Sequence, residues 1–208
     1  MRCAVMFARA ALSPLRFASG MLVGLLCTLA LVACTPQGAK FNAIDITGAD
    51  YARDFQLTDH NGQTRTLQDF RGKVVVLFFG YTQCPDVCPT TMAELVEVRT
   101  LLGAEGAKVQ GLFVSLDPER DTTEVLKTYM GNFDPGFLAL RPTLEELPAL
   151  AKNFKVYYKK SESKGGAGYT LDHTAASYVY DPQGRLRLYV RYGSGAQTLA
   201  SDLRQLLK

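Results

Sequence analysis

Histidine is scarce in this 208-residue chain, with His60 and His173 the only two, and cysteine is hardly commoner at five. So few soft donors argue against a closed zinc site, which wants four ligands. Net charge is also missing where it matters. Arg2, Arg9 and Arg16 precede Cys34 and no acidic residue does, so from Cys34 onward basic residues only equal the 20 acidic ones. Such a balance gives no electrostatic reason for a nucleic-acid partner, and none is expected. No internal repeat and no second core pattern is visible, which leaves one domain with extensions.

The first extension reads as an address. Its three arginines precede an apolar run from Phe17 to Ala33 that ends Leu31-Val32-Ala33-Cys34. A basic segment, a short apolar stretch and small residues before a cut make an export signal rather than a spanning helix. Leu-Val-Ala-Cys resembles a bacterial lipobox, so Cys34 is the expected lipidation site. The expected organisation is a lipoprotein-type signal over 1–33, a flexible tether over 34–48, and a domain over 49–208 held on the outer side of a bacterial cytoplasmic boundary. Cys3 and Cys27 would leave with the signal. Only Cys84 and Cys88 then remain as free sulfur in an oxidising compartment.

Within the domain, Asn61-Gly62 between two polar-apolar segments predicts an N-terminal hairpin, with His60 an exposed side chain of its turn. Val74 to Phe79 is a continuous apolar run, the mark of a strand covered on both faces. Thr90 to Leu102 reads as a helix, Val109 to Leu116 as a second buried strand, and Asp121 to Glu124 as a capping box opening a further helix. Phe137 to Leu140 is a possible short strand, and a helix follows from Thr143 to about Phe154. Lys159 to Gly168 reads as a mobile loop. Ala175–Tyr180 and Arg185–Arg191 predict a second hairpin, followed by a helix from about Ala196. Strands alternating with helices give an α/β domain with a central sheet between helices.

Cys84 and Cys88 sit at the junction of the first buried strand and its helix, with three residues between them. A disulfide across so short a loop stabilises little, which argues against a structural staple. Pro89 suits the first helical position and would make Cys88 the cap, where the helix start favours thiolate. Thiolate serves both disulfide exchange and metal ligation, so a redox pair and a soft-metal site both remain open. Two thiolates suit copper(I), and one imidazole, which His173 could supply, would let the site hold copper(II) as well. A thiol-disulfide oxidoreductase, or a peroxiredoxin-like thiol peroxidase, is the alternative. Exchange enzymes usually set a proline opposite the motif cysteines, and none occurs between Pro148 and Pro182.

Three blocks carry a resemblance. Gly80-Tyr81-Thr82-Gln83-Cys84-Pro85-Asp86-Val87-Cys88-Pro89, then Val114-Ser115-Leu116-Asp117-Pro118-Glu119-Arg120-Asp121-Thr122, then Asp172-His173-Thr174 resemble the signatures of the Sco/SenC family. The resemblance implies a thioredoxin-like fold and copper held by Cys84, Cys88 and His173. It also implies a role in building the dinuclear copper site of cytochrome c oxidase, whose subunit II would be the client, with a thiol reductant as a second partner. Many members have histidine where this chain has Gln83. Asp117 and Asp121 are explained by turn and capping roles, Asp86 is an exposed loop carboxylate, and Asp172 should point away from the face of His173. Tyr81 and Phe79 are expected to pack or to wall the site.

Overall fold

The computed structural model describes residues 40–162 and 168–208. The signal and the first part of the expected tether, residues 34–39 with Cys34, lie outside the described residues. Strands β1 (Ile44–Asp45), β2 (Gln56–Asp59), β3 (Thr64–Thr66), β4 (Val74–Gly80), β5 (Val109–Ser115) and β6 (Leu138–Arg141) precede β7 (Tyr158–Glu162), β8 (Tyr169–His173), β9 (Ala176–Tyr180) and β10 (Leu186–Arg191). The helices are α1 (Val87–Leu102), α2 (Thr123–Gly131), α3 (Glu146–Asn153) and α4 (Ala196–Leu206). Eight strands form one mixed sheet in the order β1-β10-β9-β4-β5-β6-β2-β3, while β7 and β8 pair only with each other. This is the thioredoxin-like α/β arrangement expected, with the N-terminal hairpin β2–β3 added at one edge through β6.

The centre of the sheet explains itself from sequence. Every residue of β4 and of β5 is buried, as the unbroken apolar runs require of strands covered on both faces. Alternation sends Val76 and Phe78 toward Met92 and Leu95 of α1 and Leu199 of α4, around a small cavity. On the opposite face Phe79 meets Phe154 edge-on at 5.0 Å and Tyr178 at 6.4 Å. The Tyr180 hydroxyl, buried among these rings, donates to the Ala52 carbonyl at 2.7 Å, so no polar group is stranded there.

Register decides what gathers at the end of β4. Parallel pairing sets Gly80 opposite Ser115, and antiparallel pairing sets Phe78 opposite Ser177. The segment after β5 and the segment before β9 therefore emerge at the same sheet end as the loop after β4. That is where ligands collect in sheets of this kind, beyond the carboxyl ends of the parallel strands.

Several expectations change. His60 is buried rather than exposed: it is 9% accessible, and its Nδ1 accepts the Ala139 amide at 3.0 Å. The turn itself is as expected, with Gly62 at φ +80°. Asp121 caps no helix. Thr122 is the cap of α2, its hydroxyl accepting the Val125 amide at 3.3 Å, and Asp121 turns inward. Thr143 and Glu146 do form a reciprocal cap before α3. The expected loop from Lys159 is strand as far as Glu162, paired with Tyr169–His173, and residues 163–167 lie outside the described residues. The expected tether is fastened from Asn42 onward. Buried Asp202 on α4 accepts the backbone amides of Asn42 and Ala43 at 2.9 and 2.8 Å, and β1 pairs with β10. Among the described residues no helix is long and apolar enough to cross a membrane.

Candidate metal centre

Cys84, Cys88 and His173 come together at the end of β4, their Sγ, Sγ and ring-nitrogen atoms all within 4.8 Å of one another. Among the described residues no other cluster of His, Cys, Asp or Glu could hold a metal ion, and His60 is not part of it. Both cysteines are free thiols. The approach is closest between Cys88 Sγ and His173 Nε2, at 3.5 Å. Metal–thiolate and metal–imidazole bonds in zinc sites are about 2.3 and 2.0 Å, which places donors of one such ion about 3.5–4 Å apart. The three side chains thus fit one small soft ion with little movement.

Each side chain is placed by an identifiable local cause. The helix α1 opens at Asp86, not at Cys88, so Cys88 is the second helical residue and fully buried while Cys84 stays half-exposed in the loop. Pro89 still falls in the first turn, where its missing N–H costs nothing. Buried Cys88 needs room, and Gly80 supplies it. A Cβ at Gly80 would lie 2.8 Å from Cys88 Sγ and 2.9 Å from the Phe78 and Phe113 rings. His173 ends β8. Its Nδ1 lies 3.0 Å from the Thr174 carbonyl, which can only accept, so Nδ1 donates there and Nε2 is the ring nitrogen turned toward the sulfurs. The ring stands edge-on to Phe78 at 6.0 Å and Tyr81 at 5.9 Å, which fixes its plane. Tyr81 and Phe78 are walls of the site; Phe79 belongs to the opposite layer.

The two thiols divide one proton unequally. A hydrogen bond from the Cys88 thiol lowers the Cys84 pKa to about 3; burial opposes this, and His173 and the Asp86 and Cys88 amides assist. Cys88 is driven the other way by that same bond, then by burial and by the charges of Cys84 and Asp121. The helix-start effect expected for Cys88 acts on Cys84 instead, because the free amides of the first turn point back at the loop sulfur. The pair is one thiolate and one thiol, ready to lose a second proton to a cation.

Two supporting carboxylates, Asp121 and Asp117, do more than the turn and capping roles expected of them. Fully buried Asp121 accepts the Ser115 hydroxyl at 2.6 Å, the Thr82 hydroxyl at 2.6 Å and the Thr82 amide at 3.2 Å. It ties the loop before Cys84 to β5. Burial raises its pKa against these hydrogen bonds. Asp117, also buried, pairs with Arg120 and accepts the Tyr169 hydroxyl at 2.7 Å. Their presence in the Val114–Thr122 block was the available signal, and turn chemistry masked it. Asp86 is exposed as expected, and Asp172 turns outward to accept Ser161 at 2.6 Å.

Residues 45–208 match the SCO1/SenC family. This chain belongs to that family. The mitochondrial SCO2 homolog of Bos taurus is 36% identical over 154 residues, 73% of this chain and 58% of its own length. The chain thus spans less than two thirds of that curated relative. Among solved structures, Bradyrhizobium japonicum ScoI with copper bound is 40% identical, covers 74% of this chain and 97% of its own, and superposes with a TM-score of 0.66. Apo Sco1 from Thermus thermophilus is 37% identical, covers 82% of this chain and 99% of its own, with a TM-score of 0.70. The thioredoxin-like SCO1/SenC fold is therefore common ground between this chain and proteins solved with and without copper.

Proposed function

We propose that this SCO1/SenC protein is a membrane-tethered, extracytoplasmic copper metallochaperone. Cys84, Cys88 and His173 hold copper as cargo, and the client is the dinuclear copper site of cytochrome c oxidase, on its subunit II. The observation that carries the reading is the convergence of two sulfurs and one imidazole nitrogen within 4.8 Å. Soft thiolates favour copper(I), and the imidazole makes copper(II) acceptable as well. The relative solved with copper bound gives the metal its identity. The tether rests on the lipobox-like Leu31-Val32-Ala33-Cys34, with Cys34 as the lipidated residue.

Binding proceeds by simple proton bookkeeping. The Cys88 thiol holds Cys84 as thiolate, so of the two sulfurs only Cys88 has a proton left for copper to displace. The disulfide form has no thiolate to offer and would bind essentially none. Titrating copper into reduced and oxidised protein, beside His173→Ala, tests this directly. One copper per reduced chain is expected, with a weakened and spectrally altered site in the variant. Unchanged affinity and spectrum in His173→Ala would sink the three-ligand site.

One observation favours a second reading, thiol-disulfide exchange at Cys84 and Cys88. A half-exposed thiolate beside a buried thiol is the arrangement of attacking and resolving cysteines. It predicts turnover of protein disulfides with a low-potential thiol donor, unaffected by His173→Ala.

A further inference from the structure

His173 is carried by a hairpin that stands outside the main sheet, since β7 and β8 pair only with each other. Along β8, Tyr169, Leu171 and His173 share one face, because side chains alternate along a strand. Tyr169 and His173 lie four residues apart, roughly 13 Å. Whatever fastens Tyr169 therefore holds the far end of the strand whose other end, at His173, leads into β9.

The fastening is Arg120. Its guanidinium carbon lies 3.6 Å from the centre of the Tyr169 ring and 5.8 Å from that of Tyr81. Its Nε pairs with the buried Asp117 carboxylate, whose other oxygen takes the Tyr169 hydroxyl at 2.7 Å. One Nη donates at 2.8 Å to the Tyr169 carbonyl and at 3.1 Å to the Gln83 side-chain oxygen. Gln83 adjoins Cys84. A single planar group thus touches the loop of the first ligand and the strand of the third. The remaining Nη is buried with no hydrogen-bond partner among the described residues. A charged donor left short by about 1–3 kcal/mol is retained only where its other contacts outweigh the cost. Ordinary turn formation after β5 does not need it, since the Arg120 and Asp121 amides already bond the Asp117 carbonyl.

We infer that Arg120 is a positioning residue for the metal centre, holding the His173 hairpin against the Cys84 loop through Tyr169 and Gln83. It rests on the copper-binding reading above. Lysine keeps the charge but cannot make the fork, so Arg120→Lys separates geometry from electrostatics. Gln83→Ala removes one strut from an exposed position and leaves folding intact.

The test combines copper binding with a readout that needs no metal. Reduced Arg120→Lys and Gln83→Ala are titrated with copper(I) and copper(II), and amide hydrogen exchange is followed in the reduced apo proteins. For Arg120→Lys, affinity should fall about 10–100-fold, the usual cost of losing a group that orients a ligand. Its copper(II) spectrum should move toward that of His173→Ala. Exchange should quicken at Leu171 and His173 while β4 and β5 are unchanged. Gln83→Ala should show the same shifts to a smaller degree. Wild-type affinity and spectrum in Arg120→Lys, or exchange that rises equally in β4, β5 and β8, would overturn the inference and leave the metal site standing. A wild-type protein that binds no copper would overturn the function and the inference together.

Discussion

Cys84 and Cys88 differ by one shared hydrogen bond and by depth, and that difference is measurable without metal. With its pKa near 3, Cys84 should alkylate at a rate almost independent of pH from 8 down to 5. Replacing the donor, Cys88→Ala, should return the midpoint toward the ordinary thiol range of about 8.5. A pH–rate profile with iodoacetamide reads both. Gly80 makes a second residue-scale prediction. A methyl group there meets Cys88 Sγ at 2.8 Å and two rings at 2.9 Å, none of them free to withdraw. Gly80→Ala should cost about 1–3 kcal/mol in denaturant unfolding, the range for overpacking a core, and should weaken copper binding as Cys88 is displaced. Neither effect is visible in the motif string, where Gly80 looks like the end of a strand and both cysteines look alike.

At the scale of elements, buried carboxylates act as rivets between segments distant in sequence. Asp121 joins the loop after β4 to β5 through three donors, and Asp202 joins the N-terminal segment to α4. Asp121→Ala leaves the buried Ser115 hydroxyl and the Thr82 donors without their acceptor. The expected loss is about 2–3 kcal/mol, as for hydrogen bonds to a charged group, and Asp121→Asn should lose less; thermal melts of the two variants check this. Asp202→Ala should quicken exchange at the Asn42 and Ala43 amides while the β4–β5 ladder stays protected. Unchanged exchange at those amides would show that the β1–β10 pairing alone holds the segment. The helices themselves were readable from apolar spacing, since burial of one face is a local property. The rivets were not: Asp121, just before a helix, has a cheaper local use as a cap, and Asp202 sits inside α4 with no local sign of its distant partners.

Over the whole molecule, stability should follow pH in two steps. Burial lowers the His60 pKa, with Lys127 assisting and Asp59 opposing. A histidine held neutral when folded contributes fully above its unfolded value of about 6.5, and stability falls as pH drops from there toward the folded pKa. Asp181 and Asp59 come later. For Asp181 burial raises the pKa, but the Arg185 amide and the Arg187 and Arg185 side chains outweigh it and the net shift is downward. For Asp59 burial is likewise outweighed, by Arg65 and the Gln63 and Asn61 amides. Their contribution is present above about pH 3.9 and is lost as pH falls through the depressed folded values. Melting temperatures from pH 8 to pH 3 should show both steps. His60→Asn, which keeps an acceptor for the Ala139 amide, should flatten the first step alone.

Composition and periodicity determined the α/β class, the two buried strands and most helix positions, because these depend on residues near one another in the chain. Chemistry-bearing residues were legible for the opposite reason: with two histidines and two cysteines in the domain, few ligand sets were possible. Only the tertiary structure decided that β9 runs antiparallel beside β4, which is what returns His173 to a cysteine 85 positions earlier. It also decided which thiol keeps the proton, that His60 lies inside, and that Arg120 spans the two halves of the site. Each of these depends on through-space distance and burial, and a linear pattern encodes neither.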